Sequence, residues 1–390
     1  MRIGLFTDTY PPFINGVSTS VAMLKRALEQ QGHTVYVVTV SNNALKHEYD
    51  EKERILRVPG IPTGIYDSRF TSIYPVRAVN KIKSWKLDVI HSQTEFAIGT
   101  FARLIAKQYN IPLVHTYHTM YEDYTYYITK GYMDRASKWI IRQYSLAVSD
   151  KTNMVITPSY KSQNYLRKIG ASKYIGVIPT GIDTTRFINY KLDPEARLNF
   201  LKEQNIPENS KIMLFLGRMA KEKNIEELLD NFKSLTEKRD DVYFVVVGDG
   251  PNRPDLEKKA KELGIMEKTR FIGAVPYENI DFYYALADVF VNASVSETQG
   301  LTYLEAMASK KVVLAKYDSN LSELIVDGYN GFFFDTKEEF LQKIGKIFEI
   351  SDTTYNVMVK NMLESVDKLS LEKFYTNIME VYEKAKRNNI

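Results

Sequence analysis

The sequence predicts an α/β protein built from two parallel-sheet units, and three observations carry the prediction. Its 390 residues exceed a typical single domain and suit roughly two to three. Apolar runs of strand length alternate with amphipathic stretches of helix length, the pattern of βαβ units. Those runs are apolar throughout rather than at every second position, as in strands buried on both faces of a parallel sheet. Hydrophobic residues make up 44% of the chain, enough for two large cores.

In the first half, a strand at Ile3 to Thr7 leads into turn signals at Pro11-Pro12 and Asn15-Gly16. A helix from about Ser18 to Gln31 follows, with Val21, Leu24 and Leu28 at helical spacing and Gly32 as its stop. Further strands are predicted at Val35 to Val40, Val89 to His91 and Leu113 to Thr116. The second half repeats the pattern. Strands at Ile212 to Leu216, Val242 to Val247, Arg270 to Ile272, Val289 to Val291, Val312 to Ala315 and Gly331 to Phe334 alternate with helices at Asn224 to Lys238 and Asp255 to Leu263. Between residues 178 and 211, Pro179, Gly181, Pro194 and Pro207 suggest a linker. The domains expected are 1–178, 179–365 and a helical end, 366–390, that returns to the first. That end belongs to a helical stretch of about Thr354 to Lys386.

Composition excludes several classes of function. Without cysteine there are no disulfides, thiolate zinc sites or cysteine nucleophiles. No long apolar segment follows Met1 as in a signal peptide, and no uncharged run nears the roughly 20 residues that span a bilayer. A cytoplasmic location is therefore expected. Net charge is +4, unevenly spread: residues 1–180 hold 23 basic against 13 acidic side chains, and residues 181–390 hold 29 against 35. The basic half suits a polyanionic partner, either a membrane surface or nucleic acid.

Residues 294–310, SVSETQGLTYLEAMASK, carry the most chemistry. They follow an apolar strand and read as a loop and then a helix beginning near Gly300. The backbone N–H groups of Gln299, Gly300 and Leu301 then form an anion site suited to phosphate. Glu297 lies in the loop and Glu305 in the helix. Two carboxylates beside a phosphate suit the hydroxyl groups of a sugar or ribose; a solvated loop glutamate and a helix-surface glutamate would give the same spacing. Upstream, GRMAKEKN places Arg218 and Lys223 just before a helix, where two cations can clamp a diphosphate or simply face water. GDGP, with Gly248 and Gly250, reads as a tight turn. In TYHT, His118 follows a strand, the favoured place for a ligand contact in an open sheet, whereas His115 lies within the strand and reads as a core residue.

Taken in order, Asn15-Gly16, TYHT, IPTGID, Arg218 with Lys223, GDGP, Glu297-x7-Glu305 and DGYNG resemble the retaining glycosyltransferases of family four, over nearly the full length. The resemblance implies two facing Rossmann-type domains, the GT-B arrangement, with the nucleotide-sugar on the second. Arg218 and Lys223 would hold the diphosphate and Gly16 would let the first domain approach it. Glu297 would bond to sugar hydroxyls, helped by the Gln299, Gly300 and Leu301 N–H groups. Glu305 would bond to ribose, His118 would sit against the transferred sugar, and the backbone near Val275 could read uracil. The family usually has Phe or Asn where Gln299 stands. Within the family, MRIGLFTDTY, Asn15-Gly16-Val17 and HTYHTMYEDY are most like bacterial diacylglycerol glucosyltransferases. That likeness implies transfer of glucose from UDP-glucose to diacylglycerol with retention. No Asp-x-Asp occurs, so no metal is expected to be required, and a divalent cation would act only as a stimulant. The alternatives are a polysaccharide, polyprenyl-linked or soluble phosphate acceptor, or a nucleic-acid module with a vestigial sugar site. The Glu297, Arg218, Lys223 and Glu305 set argues against nucleic acid.

Two stretches are expected to meet an anionic membrane. Residues 66–87 carry Arg69, Arg77, Lys81, Lys83 and Lys86 around Val76, Val79, Ile82 and Trp85, the pattern of a short amphipathic helix with Trp85 as anchor, or of a surface helix packed on the sheet with a solvated basic face. Residues 117–144 hold seven tyrosines and Trp139 among basic residues, which also suits stacking on single-stranded nucleic acid or a Tyr-rich core helix pair.

Overall fold

Every apolar run read from the sequence is a strand in the computed structural model. The structure describes residues 1–13, 15–62, 69–118, 134–295, 297 and 299–388, with the backbone alone at 70 and 134–138. The chain forms two units, Met1–Gly181 with Leu371–Ile390, and Ile182–Ser370.

The first unit contains β1 (Arg2–Phe6), β2 (Thr34–Val40), β3 (Glu48–Asp50), β4 (Ile55–Val58), β5 (Ile61–Pro62), β6 (Arg69–Phe70), β7 (Val89–Ser92), β8 (Leu113–Thr116), β9 (Met154–Thr157) and β10 (Ile175–Val177). Its main sheet runs β10-β9-β8-β7-β1-β2-β4-β3, parallel except for the β3–β4 pair. Strands such as Leu113–Thr116 are buried at every position, which accounts for the continuous apolar runs. One sheet face is covered by helices Gly16–Gln30 and Leu371–Arg387, through Val21, Leu24, Leu28, Phe374, Ile378 and Tyr382. The other is covered by helices Val76–Trp85 and Ala97–Tyr109, through Val79, Ile82, Phe101 and Ile105. The chain end thus completes the first unit, and the Tyr382 hydroxyl lies 2.8 Å from His91 Nδ1.

The second unit is a six-stranded parallel sheet: β11 (Lys211–Leu216), β12 (Val242–Val247), β13 (Thr269–Gly273), β14 (Val289–Asn292), β15 (Val312–Lys316) and β16 (Phe332–Phe334). They lie in the order β13-β12-β11-β14-β15-β16. GDGP has a packing role here. A side chain on Gly248 would collide with the Gly217 carbonyl and one on Gly250 with the Met219 carbonyl, so the loop after β12 lies backbone to backbone on the loop after β11.

Four expectations are corrected. The stretch between 178 and 211 is not an open linker: it carries helices Thr184–Asn189 and Pro194–Glu203, the second capped by Asp193, and Pro194 opens that helix rather than preventing it. The final helical stretch is two helices, Asp352–Asp367 and Leu371–Arg387, and the units divide between them and at 181/182. Trp85 is not a membrane anchor. It is 5% exposed and stacks on Tyr36 at 4.5 Å, because the apolar stripe of its helix (Ala78, Val79, Ile82, Trp85) is what covers its own sheet. Arg69 is engaged within the protein, donating to the Gly60 carbonyl at 2.8 Å.

Arg77, Lys83, Lys86 and Val76 remain exposed on that helix, and Lys81 lies over the Tyr49 ring at 3.9 Å. In the Tyr-rich stretch, residues 119–133 lie outside the described residues; Trp139 is 62% exposed. Among the described residues no helix is long and apolar enough to cross a membrane.

Trp85→Ala is expected to lower stability by about 3–5 kcal/mol, as other buried aromatic truncations do. Urea unfolding followed by circular dichroism measures this; an unchanged midpoint would mean that the ring packs to no effect.

Candidate active site

Strand order reverses in the second unit beside β11, which pairs with β12 on one side and β14 on the other. In an open α/β sheet a crevice opens at the carboxyl ends of the strands where the order reverses. The loop after β11 carries Arg218 and Lys223. The loop after β14 carries Glu297, Gln299 and Gly300. They meet there: Lys223 Nζ lies 2.6 Å from Glu297 Oε1.

Arg218 pairs likewise with Glu222, a buried carboxylate whose own backbone carbonyl accepts from Val295 N–H at 3.0 Å and from the Ser294 hydroxyl at 3.3 Å. Glu222 therefore ties the two loops together. From the other side, Asp318 accepts from Glu297 N–H at 3.3 Å, and the Asn320 amide donates to the Glu297 carbonyl. Each cation has an internal counter-ion, so a phosphate entering here would exchange partners rather than meet bare charge.

Helix Leu301–Ala308 begins where the spacing predicts, with Gly300 as its cap. Gly300 has φ 76°, and a Cβ there would fall 2.7 Å from Tyr303 and 2.8 Å from Leu321. Glycine also brings no side-chain acceptor to the first N–H groups, leaving the helix start without a side-chain cap. Gln299 and Leu301 are half-buried on either side of it.

Glu305, 3% exposed, receives a 2.8 Å hydrogen bond from the Tyr284 hydroxyl. Burial raises its carboxyl to about 7, against the opposing pull of the Tyr284 and Tyr277 hydroxyls and Arg186. Arg186 is held by Asp281 at 3.0 Å and by the Tyr277 carbonyl at 2.9 Å. Val275 is half-buried in the loop after β13, two residues before Tyr277.

In the first unit the order reverses between β2 and β7, around β1. Asn15, after β1, caps helix Gly16–Gln30 by accepting from Ser18 N–H at 2.9 Å. Among the described residues, beyond its chain neighbours and its own helix backbone, no atom lies within 4 Å of where a Gly16 Cβ would stand, so none of them demands glycine there. His118, after β8, bonds through Nε2 to the Gln93 side-chain oxygen at 2.8 Å. Burial, with His115 adding to it, lowers the His118 pKa to about 3, so its imidazole is neutral at neutral pH. His115 is a core residue, held between Ser92 at 2.6 Å and Glu95 at 3.2 Å.

Sequence reading missed Glu222, Asp318, Asn320, the Tyr277–Tyr284–Arg186 group and Gln93. Glu222 has a local signal, since it adjoins Lys223. The others come from distant strands or helices with no motif of their own.

Residues 14–186 match the Glycosyltransferase Family 4 model, and residues 197–365 match the model of Glycosyl transferases group 1. The chain is 36% identical over 98% of its length to an alpha-monoglucosyldiacylglycerol synthase of Streptococcus pneumoniae, spanning 85% of that protein. It belongs to glycosyltransferase family four. The family-four relative of the same name from Acholeplasma laidlawii is 34% identical over 88% of this chain and 87% of its own length. The fold of this glycosyltransferase is that of GT-B enzymes. It superposes on the Anabaena protein HepE, solved in complex with UDP-glucose, with a TM-score of 0.77 at 18% identity, covering 98% of this chain and 99% of that one.

Replacing Glu297 with Gln exchanges a charged hydroxyl acceptor for a neutral one of the same shape. It is expected to lower turnover roughly 100-fold or more with the fold intact. Steady-state rates with circular dichroism check this, and near-normal turnover would remove Glu297 from the chemistry. Because the Glu305 carboxyl titrates near 7 and its ionised form is the stronger acceptor for hydroxyls, UDP-glucose affinity is expected to rise as pH rises through 7. Calorimetry across that range should find the dependence in the wild type and lose it in Glu305→Gln.

Proposed function

We propose that this enzyme transfers glucose from UDP-glucose to diacylglycerol, with retention, at the inner face of the cell membrane, giving an α-glucosyl glycolipid. The observation that carries the reading is 36% identity, over nearly the whole chain, to a synthase named for that glycolipid. A fold shared with a protein solved with UDP-glucose supports the donor.

The chemistry follows from charge. As the bond from the sugar's anomeric carbon to the diphosphate breaks, negative charge builds on the leaving group and positive charge on the sugar ring. Arg218, Lys223 and the start of helix Leu301–Ala308 stabilise the first. The lipid hydroxyl attacks on the face the diphosphate leaves, and its proton passes to a diphosphate oxygen. Glu297, released from Lys223 by the incoming diphosphate, accepts from sugar hydroxyls, and Glu305 from the ribose. Neutral His118 meets the transferred sugar. Gly16 allows close approach of the loop after β1, and the backbone near Val275 reads the base. With two cations on the diphosphate the reaction needs no metal.

At the membrane, the exposed basic residues of helix Val76–Trp85 supply attraction to anionic lipid, and Trp139 supplies an apolar contact. With Trp85 and Arg69 withdrawn, three freely exposed cations (Arg77, Lys83 and Lys86) contribute about 3 kcal/mol, or on the order of 100-fold in partitioning at low salt.

Purified protein with UDP-glucose and mixed vesicles is expected to yield a monoglucosyl lipid, with a chelator leaving the rate within about twofold. No lipid product alongside turnover of a soluble alcohol would overturn the acceptor assignment. Vesicle sedimentation is expected to favour anionic lipid and to weaken near 1 M salt, where screening acts over roughly 3 Å. Equal binding to zwitterionic vesicles, or binding unchanged when Lys83 and Lys86 are neutralised, would exclude the electrostatic contact.

A further inference from the structure

His118 and Gln93 sit at the carboxyl ends of β8 and β7. An amide oxygen can only accept, so the imidazole nitrogen facing it, Nε2 at 2.8 Å, carries the hydrogen. Nδ1 then keeps its lone pair. Among the described residues, the titratable neighbours of the ring are engaged elsewhere. His115 is held between Ser92 and Glu95. His91 is engaged with Thr116 and Tyr382 and is itself held well below its ordinary pKa by burial.

Gln93 is fixed in place. It follows β7 directly, its N–H donates to the Phe6 carbonyl at 2.8 Å, and it is 2% exposed. Its side-chain nitrogen is buried without a hydrogen-bond partner among the described residues. A buried amide hydrogen left unmatched is costly, and an oxygen of a bound substrate would relieve it.

We infer that Gln93 is a positioning residue for sugar transfer: it fixes His118 in the Nε2–H tautomer, so that Nδ1 accepts a hydrogen bond from a substrate hydroxyl. The inference rests on the proposed placement of His118 against the transferred sugar. It also sorts the ligand chemistry. A hydroxyl can donate to Nδ1, whereas an ionised phosphate oxygen cannot, so His118 selects for the sugar and leaves the diphosphate to Arg218 and Lys223.

Full-length protein labelled with ¹⁵N-histidine has five rings to resolve, and His118→Gln identifies the signal in question. Long-range ¹H–¹⁵N correlation of the wild type without substrate is expected to show His118 neutral and protonated at Nε2. Gln93→Leu should mix the tautomers and lower kcat/KM roughly 10- to 100-fold, by analogy with the loss of an outer partner of a metal-bound histidine. Gln93→Glu sets a carboxylate against Nε2, which should raise the His118 pKa and move the acid limit of kcat/KM to higher pH. A wild-type ring protonated at Nδ1, the state that the opposite rotation of the Gln93 amide would impose, overturns the inference. So does a Gln93→Leu protein with unchanged tautomer and unchanged kcat/KM. The spectrum is read on the wild type without turnover, so an inactive wild type contradicts the proposed reaction, and the wrong tautomer contradicts the role of Gln93.

Discussion

The ion pair between Lys223 and Glu297 joins two loops that belong to different strands, and the rest of the donor site is arranged around it. It can form only because strand order reverses between β12 and β14, around β11, which turns the loops after β11 and β14 toward one crevice instead of away from each other. Glu222 reinforces the junction through its backbone, and Asp318 and Asn320 fix the Glu297 backbone from the next strand. Three strands thus hold one carboxylate beside one ammonium group.

Such a pair has consequences for an empty site. Lys223 is partly exposed and Glu297 nearly buried, so the attraction is less screened than at an open surface, yet both groups keep some access to water. Pairing lets the cations wait for a diphosphate without leaving bare charge in the crevice. In the proposed reaction it would also couple the two ends of the donor, because a diphosphate that took Lys223 would free Glu297 for the sugar. Glu305 stands apart from this exchange, its carboxyl held by the Tyr284 hydroxyl of the neighbouring helix.

Continuous apolar runs, which a parallel sheet buried on both faces writes, made ten of the sixteen strands among the described residues legible; β3 to β6, β9 and β10, of two to four residues each, were not read. The start of helix Leu301–Ala308 was legible from Gly300, whereas the grouping of Arg218, Lys223 and Glu297 came from the family resemblance. What stayed hidden is what depends on distant packing. Trp85 and its neighbours have the pattern of a membrane-surface helix, and a sequence does not tell whether an apolar stripe meets lipid or its own sheet. Pro179, Pro194 and Pro207 suggested a linker, but Asp193-Pro194 is a helix start. Glu222 was not singled out, since its burial arises only once the loop folds against Ser294 and Val295. Gln93 has no motif, and its relation to His118 spans two strands.

If the diphosphate takes Lys223 from Glu297, the empty site holds a competitor for its own ligand. Calorimetry of UDP, which lacks the sugar that Glu297 would contact, isolates that competition in wild-type and Glu297→Gln protein at fixed pH. The account predicts tighter UDP binding in Glu297→Gln, by roughly fivefold for a pair worth about 1 kcal/mol. Unchanged or weaker UDP binding would contradict it.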